Sequence, residues 1–176
     1  VMEVWLVRHT SVDVPAGTCY GRSDVPLRDS FEVEAAAVRE NLKDIAFDGV
    51  WCSPLSRCTR LAAECGYADA RHDARLLELD FGAWEMRSFN AIDDPQLQRW
   101  FDDWLHVRPT GGESFVEQIV RVGGFLDELR TQPLRRALLF VHGGVQLCAG
   151  IYAGLFPPEE AFAHQQPYGS ILKIPI

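Results

Sequence analysis

Continuous apolar runs, rather than alternating ones, constrain this chain most. Val4-Trp5-Leu6-Val7 and Ala137-Leu138-Leu139-Phe140-Val141 offer no polar face, which fits strands covered on both sides by helices. Between them lie stretches of helical period. Phe31, Ala35, Val38, Leu42 and Ile45 recur at spacings of four and three, as do Phe115, Ile119, Val122, Leu126 and Leu129. Asp29-x-x-Glu32 and Ser114-x-x-Glu117 resemble capping boxes at the starts of these two helices. Val145 to Tyr152 reads as a further helix and Ile171-Leu172-Lys173-Ile174 as a late strand. Alternating strands and helices predict an α/β fold, a three-layer αβα sandwich around a mostly parallel central sheet.

With 176 residues, 47% of them hydrophobic, the chain suits one domain spanning 1–176. The segment from about 84 to 110 reads as a helical insertion or lid. A net charge of −8 gives no global basic field for nucleic acid or an anionic membrane, so any anion site must come from a few converging cations. Five cysteines without a Cys-x-x-Cys pair point to a reduced, cytoplasmic setting, with Cys52, Cys58 and Cys65 as small packing residues. No apolar stretch approaches membrane-spanning length, and the N-terminus lacks a signal-like pattern. The expected partner is a small molecule, with the chain a monomer or weak homo-oligomer.

The strand ends carry the chemistry. The first apolar run ends in Arg8-His9-Thr10, and Gly49-Val50-Trp51-Cys52 leads into Ser53-Pro54-Leu55-Ser56-Arg57. Arg75-Leu76-Leu77 delivers Glu78, and the fourth run delivers His142-Gly143-Gly144. Ser53-Pro54 reads as an N-cap and first helical position, placing Arg57 in a helix's first turn. If the strands are parallel, two arginines, two histidines and a carboxylate share one edge, where open α/β sheets bind ligands. Such a set suits a phosphomonoester. Arg8 and Arg57 can neutralise the phosphoryl oxygens, and unprotonated His9 can take the group covalently. His142 would serve as a protonated donor, while Glu78 protonates the leaving alkoxide and then activates water. This scheme requires no metal and no cofactor. Taken singly, Glu78 also reads as a surface carboxylate, Arg57 as a solvated helix residue and His142 as a turn residue. The two glycines serve equally as a strand-to-helix turn or as a place where backbone N–H groups meet an anion.

Val7-Arg8-His9-Thr10, Ser53-Pro54-Leu55-Ser56-Arg57, Leu77-Glu78-Leu79-Asp80-Phe81-Gly82 and Val141-His142-Gly143-Gly144 resemble, in order, the motifs of the histidine phosphatase, or phosphoglycerate mutase-like, superfamily. The resemblance implies that His9 is transiently phosphorylated, that Arg8, Arg57 and His142 bind phosphate, and that Glu78 is the proton donor. Within the superfamily, Thr18 to Leu27, Thr10 in place of a commoner glycine, and Gly111-Gly112-Glu113-Ser114 look most like the α-ribazole phosphatases. That likeness implies hydrolysis of α-ribazole 5′-phosphate in cobalamin nucleotide-loop synthesis. The asparagine that many members carry after the first histidine is replaced by the Val14-Pro15-Ala16 region, leaving Tyr20 and Gly21, with Gly143, as candidate substrate contacts. Broad-specificity phosphatase and mutase activities are the nearest alternatives, and a non-catalytic phospho-ligand module a distant one. Trp84, Trp100, Phe101 and Trp104 read first as packing residues and second as a stacking surface for a benzimidazole. Arg22 and Arg87 read as solvated charges.

Overall fold

In the computed structural model, which describes all 176 residues, five strands form one sheet in the order β3-β2-β4-β1-β5. The strands are β1 (Glu3–Arg8), β2 (Gly49–Cys52), β3 (Arg71–His72), β4 (Arg136–Val141) and β5 (Ile171–Pro175). The first four are parallel, and β5 closes the edge antiparallel to β1. Five α-helices accompany them: α1 (Phe31–Leu42), α2 (Ser56–Glu64), α3 (Pro95–Asp102), α4 (Phe115–Leu129) and α5 (Gly143–Tyr152).

The unbroken apolar runs follow from burial on both faces. Trp5, Val7, Leu138 and Phe140 pack with Phe31, Ala35 and Val38 of α1 and Cys58 and Leu61 of α2. The alternate residues Val4, Leu6, Ala137, Leu139 and Val141 pack with Val122, Phe125 and Leu126 of α4 and Val145 and Cys148 of α5. The result is the expected three-layer arrangement. Phe140 is fully buried in the central strand, and its truncation to alanine would cost about 3–5 kcal/mol.

Three local expectations are corrected. The capping box at Ser114 and Glu117 forms in full, but the one expected at Asp29 does not. Helix α1 starts after Ser30, whose hydroxyl donates to Glu34 at 2.6 Å. Glu34 also accepts from the backbone and hydroxyl of Ser11, tying α1 to the loop after His9. Ser53 and Pro54 precede α2 instead of opening it. The Ser53 N–H still bonds Phe140 of β4, and Asp24 accepts from both the N–H and hydroxyl of Ser56 at the helix start. Finally, Arg75 to Leu77 is not a strand. β3 is the two-residue segment before it, and Ala74–Leu76 is a 3-10 turn in which the Asp73 side chain accepts from the Arg75 N–H.

The segment from 84 to 110 contains part of a 3-10 turn at Gly82–Trp84, another at Phe89–Ala91, and α3. Asp94 anchors it by capping α3 through Gln96 N–H and accepting from the Trp84 indole at 2.9 Å. No helix is long and apolar enough to cross a membrane.

Candidate active site

Parallel register brings the two histidines together. Arg8 lies opposite Val141, and His9 N–H donates to the Val141 carbonyl at 3.1 Å. His9 and His142 therefore leave adjacent strands at the same edge, with ring centroids 5.3 Å apart. Ser53 leaves β2 beside them, its Oγ 2.8 Å from His142 Nε2. The His9 Nδ1 lies 2.8 Å from the Thr10 carbonyl. A carbonyl can only accept, so Nδ1 carries the proton and Nε2 keeps its lone pair. Burial, with the Arg57 and Arg8 charges, pushes the His9 imidazole down from 6.5 to about 3, although its bond to Thr10 opposes the shift.

His142 differs from its expected form. Full burial, then the Arg57 charge and His9, hold it well below the usual histidine value, so it is neutral in this setting. Its serine partner can donate or accept, and so tolerates either protonation state.

The arginines form a cationic pair without carboxylate counter-ions: neither takes part in any of the molecule's ion pairs. Arg57 is fully buried. Its Nη1 donates to the Ser23 carbonyl at 2.7 Å and its Nη2 to that of Gly21. Arg8 donates to the Gln166 carbonyl. The Nε of each arginine is buried with no partner. A desolvated guanidinium with free donor capacity is costly unless an anion completes it. Tyr168 and Tyr20 flank the pair, with the Arg8 Cζ 4.2 Å from the Tyr168 ring centroid and the Arg57 Cζ 5.5 Å from that of Tyr20. The two hydroxyls lie 3.2 Å apart.

Glu78 arrives from the loop after the 3-10 turn. Its Oε1 accepts from Leu79 N–H at 3.0 Å and Gln118 Nε2 at 2.8 Å, and its Oε2 from Gly144 N–H at 3.0 Å. The last bond sets the carboxylate on the N-terminal turn of α5, where the helix favours negative charge. Both glycines after His142 leave room for the side chains of the site. A Cβ on Gly144 would fall 2.2 Å from Glu78 Oε1, and one on Gly143 2.7 Å from Gln165 Nε2 and 3.0 Å from Arg8 Nε.

Arg8, His9, Arg57 and Glu78 line a cavity of about 240 Å³; His142 does not line it. Leu79, Phe81, Trp100, Trp104, Phe115 and Phe162 supply apolar lining, and Tyr20, Gln118, Gly144 and Gln165 complete it. The five residues expected to carry the chemistry are brought together, four on the cavity lining and His142 in ring contact with His9, although Glu78 does not come from a strand. Tyr20 lines the cavity, whereas Gly21 and Gly143 do not. The Gly21 N–H is taken by Glu85 and its carbonyl by Arg57, so Gly21 supports the arginine. Gly143 makes room for Arg8, and it is Gly144 that faces the cavity.

Trp84 is buried and Phe101 half exposed, while Trp100 and Trp104 face the cavity. Arg22 is not a free surface charge: its Nε donates to the Glu78 carbonyl and its Nη2 lies 3.6 Å from Glu113. Arg87 is exposed and bonds the Ala91 carbonyl.

Sequence reasoning missed several supports. Arg121 donates to the carbonyls of Arg75, Leu77 and Glu78, shaping the loop that delivers Glu78. Glu85 accepts from the N–H groups of Gly21, Arg22, Ser23 and Phe81 and from the Ser23 hydroxyl. Burial opposes its charge, but these bonds outweigh burial and hold its carboxyl below the ordinary range. Gln118 had a signal, being a polar residue on the apolar stripe between Phe115 and Val122. Tyr168 had none.

Residues 4–176 match the family model of the histidine phosphatase superfamily (branch 1). The chain belongs to this superfamily. This histidine phosphatase is 31% identical over 172 residues to the adenosylcobalamin/α-ribazole phosphatase of Escherichia coli (strain K12), covering 93% of this chain and 84% of that one. The α-ribazole phosphatase of Shigella flexneri superposes with a TM-score of 0.88 at 29% identity, covering 99% of this chain and 91% of that one. A phosphoglycerate mutase from Thermus thermophilus superposes with a TM-score of 0.77 at 29% identity, covering 98% and 92%. The phosphoglycerate mutase-like fold is therefore established by likeness as well as by topology.

Proposed function

We propose that this histidine phosphatase hydrolyses α-ribazole 5′-phosphate, releasing α-ribazole and phosphate, through a phosphohistidine on His9. The observation that carries the substrate reading is the mixed lining of the cavity. Its only lining cations, Arg8 and Arg57, accompany His9, and much of the remaining lining is apolar: Leu79 and the rings of Phe81, Trp100, Trp104, Phe115 and Phe162. A phosphomonoester of a nucleoside-like aromatic matches both kinds of lining. A phosphorylated acid such as 3-phosphoglycerate would bring a second anion into a wall with no third cation to meet it. The relatives named as α-ribazole phosphatases support the same reading.

In this reaction Arg8 and Arg57 take the phosphoryl oxygens. His9 Nε2 attacks phosphorus while the ester P–O bond breaks, and its electron pair stays on the leaving oxygen, which takes a proton from Glu78. A dianionic phosphoryl group between the arginines would also raise the proton affinity of His142, letting it donate a hydrogen bond to the transferred group. Water then attacks phosphorus, the N–P bond breaks with its pair returning to Nε2, and the water's proton goes to Glu78. The arginines supply the charge neutralisation, so the scheme needs no metal or cofactor. Five cysteines without a disulfide suit a reducing cytoplasm. There the chain would act on a small molecule as a monomer or weak homo-oligomer.

The test is phosphate release, in chelator, from α-ribazole 5′-phosphate, 3-phosphoglycerate and a simple aryl phosphate. A preference for the first of about tenfold or more is expected from burial of its ring system. Equal rates on all three would replace this reading with a broad-specificity phosphatase. Phosphoryl exchange between phosphoglycerates would replace it with a mutase, and binding without release with a non-catalytic module.

A further inference from the structure

Gln118 makes one hydrogen bond through its side chain and leaves the other half of the amide unused. It projects from α4, is 1% exposed, and lines the cavity beside Glu78. Its Nε2 donates to Glu78 Oε1 at 2.8 Å, while its own Oε1 is buried without a partner. A carboxylate accepts and cannot donate, so this amide orientation is fixed by Glu78. A buried amide oxygen without a donor is normally avoided, and here the amide is held for the bond its nitrogen makes.

The bonds divide unequally between the two carboxylate oxygens. Oε1 receives Leu79 N–H and Gln118 Nε2, filling both of its in-plane acceptor directions. Oε2 receives only Gly144 N–H and keeps one direction free. We infer that Gln118 is a positioning residue that closes Oε1 of Glu78 and thereby assigns the catalytic proton to Oε2. This rests on the reading of Glu78 as the proton donor. In the first step the O–H bond at Oε2 breaks, its electron pair stays on Oε2, and the proton joins the leaving oxygen as the ester P–O bond breaks. In the second step Oε2 takes the proton of the attacking water as the N–P bond breaks. Oε1 holds its two donors throughout, so the carboxyl does not rotate between the half-reactions. Without the Gln118 N–H, Oε1 becomes an equally good proton site, and a fraction of the protonated enzyme points its acid away from the leaving group.

The experiment compares benzyl phosphate with 4-nitrophenyl phosphate. The two esters are similar in shape, but benzyl alkoxide must be protonated on departure and nitrophenolate need not be. Gln118→Met removes the donor at similar length, and Gln118→Asn keeps an amide that falls short of Oε1. Both are assayed beside Glu78→Gln. We expect kcat/KM, which reports only the steps up to departure of the alcohol, to fall about tenfold or more for benzyl phosphate in each Gln118 variant, a part of the 10²–10⁴ that a placed acid supplies, with that for 4-nitrophenyl phosphate changed by less than about twofold. Glu78→Gln should show the same bias, and a larger one. An equal loss on both esters in the Gln118 variants, with the bias retained in Glu78→Gln, would overturn the inference and reduce Gln118 to a packing role. No bias in Glu78→Gln itself would overturn the reading of Glu78 on which the inference rests.

Discussion

The phosphate-facing groups and the aromatic lining of the cavity are built by different means. The phosphate-facing part is made of strand termini and helix starts locked by backbone hydrogen bonds: His9 to Val141 and Thr10, Arg57 to Gly21 and Ser23, Glu78 to Leu79 and Gly144. The aromatic lining is made of rings from separate segments that meet edge to face or stacked. Trp104 lies 4.5 Å from Phe162, and Trp100 5.9 Å from Phe81, by ring centroids. Hydrogen bonds fix positions to tenths of an ångström, as phosphoryl transfer demands. Ring contacts tolerate exchange of one apolar shape for another. On the proposed function, the reaction and the choice of leaving group are therefore separable.

Substitutions can break that separation or sharpen it. The largest effect is expected at Arg57, whose replacement by methionine removes a buried cation and the bonds to two loop carbonyls. Phosphate release should fall about 10²–10³-fold on every substrate alike. Gly144→Ala would place a methyl against Glu78 Oε1. Displacing the acid should cost about 10²-fold with alkyl esters and much less with aryl esters, a ratio read from steady-state kinetics. Trp104→Ala tests the aromatic lining. It should lower kcat/KM for α-ribazole 5′-phosphate about tenfold while leaving a small alkyl phosphate nearly unchanged. A uniform loss there would show the two parts to be coupled.

The smallest effect concerns stability. The folded chain holds His9 neutral down to about pH 3, and His142 is shifted in the same direction. An unfolded histidine takes a proton near pH 6.5. Between those limits the unfolded state binds more protons, so these two groups make stability fall as pH drops below about 6.5. Denaturant midpoints should decline through that window, and inorganic phosphate should reduce the decline by completing the arginine pair. His9→Asn should flatten the pH dependence relative to wild type.

Much of the phosphate-facing part was legible because adjacency in the chain becomes adjacency in space. Arg8-His9 and His142-Gly143-Gly144 follow apolar runs directly, and parallel pairing does the rest. Glu78 was legible as a residue but not by its route, because Asp73 caps a 3-10 turn where an apolar run reads as a strand. The capping role of Asp24 toward α2, and the hold of Arg121 on the Glu78 loop, join residues more than 30 positions apart through single side chains. Hydrophobic period carries no trace of such bonds. The tryptophans were visible as a group, yet their sorting into the buried Trp84 and the cavity-facing Trp100 and Trp104 depends on how short helices stack, which spacing alone does not specify.

The central claim is that His9 Nε2 carries the phosphoryl group, and the most direct test is to trap it. Enzyme mixed with substrate would be quenched in alkali within one turnover, where phosphohistidine survives, and the modified peptide mapped by mass spectrometry. The account predicts an acid-labile phosphoryl group on His9, formed before free phosphate appears and absent in His9→Ala, which releases no phosphate. A phosphoryl group on another side chain, or continued turnover by His9→Ala, would contradict it.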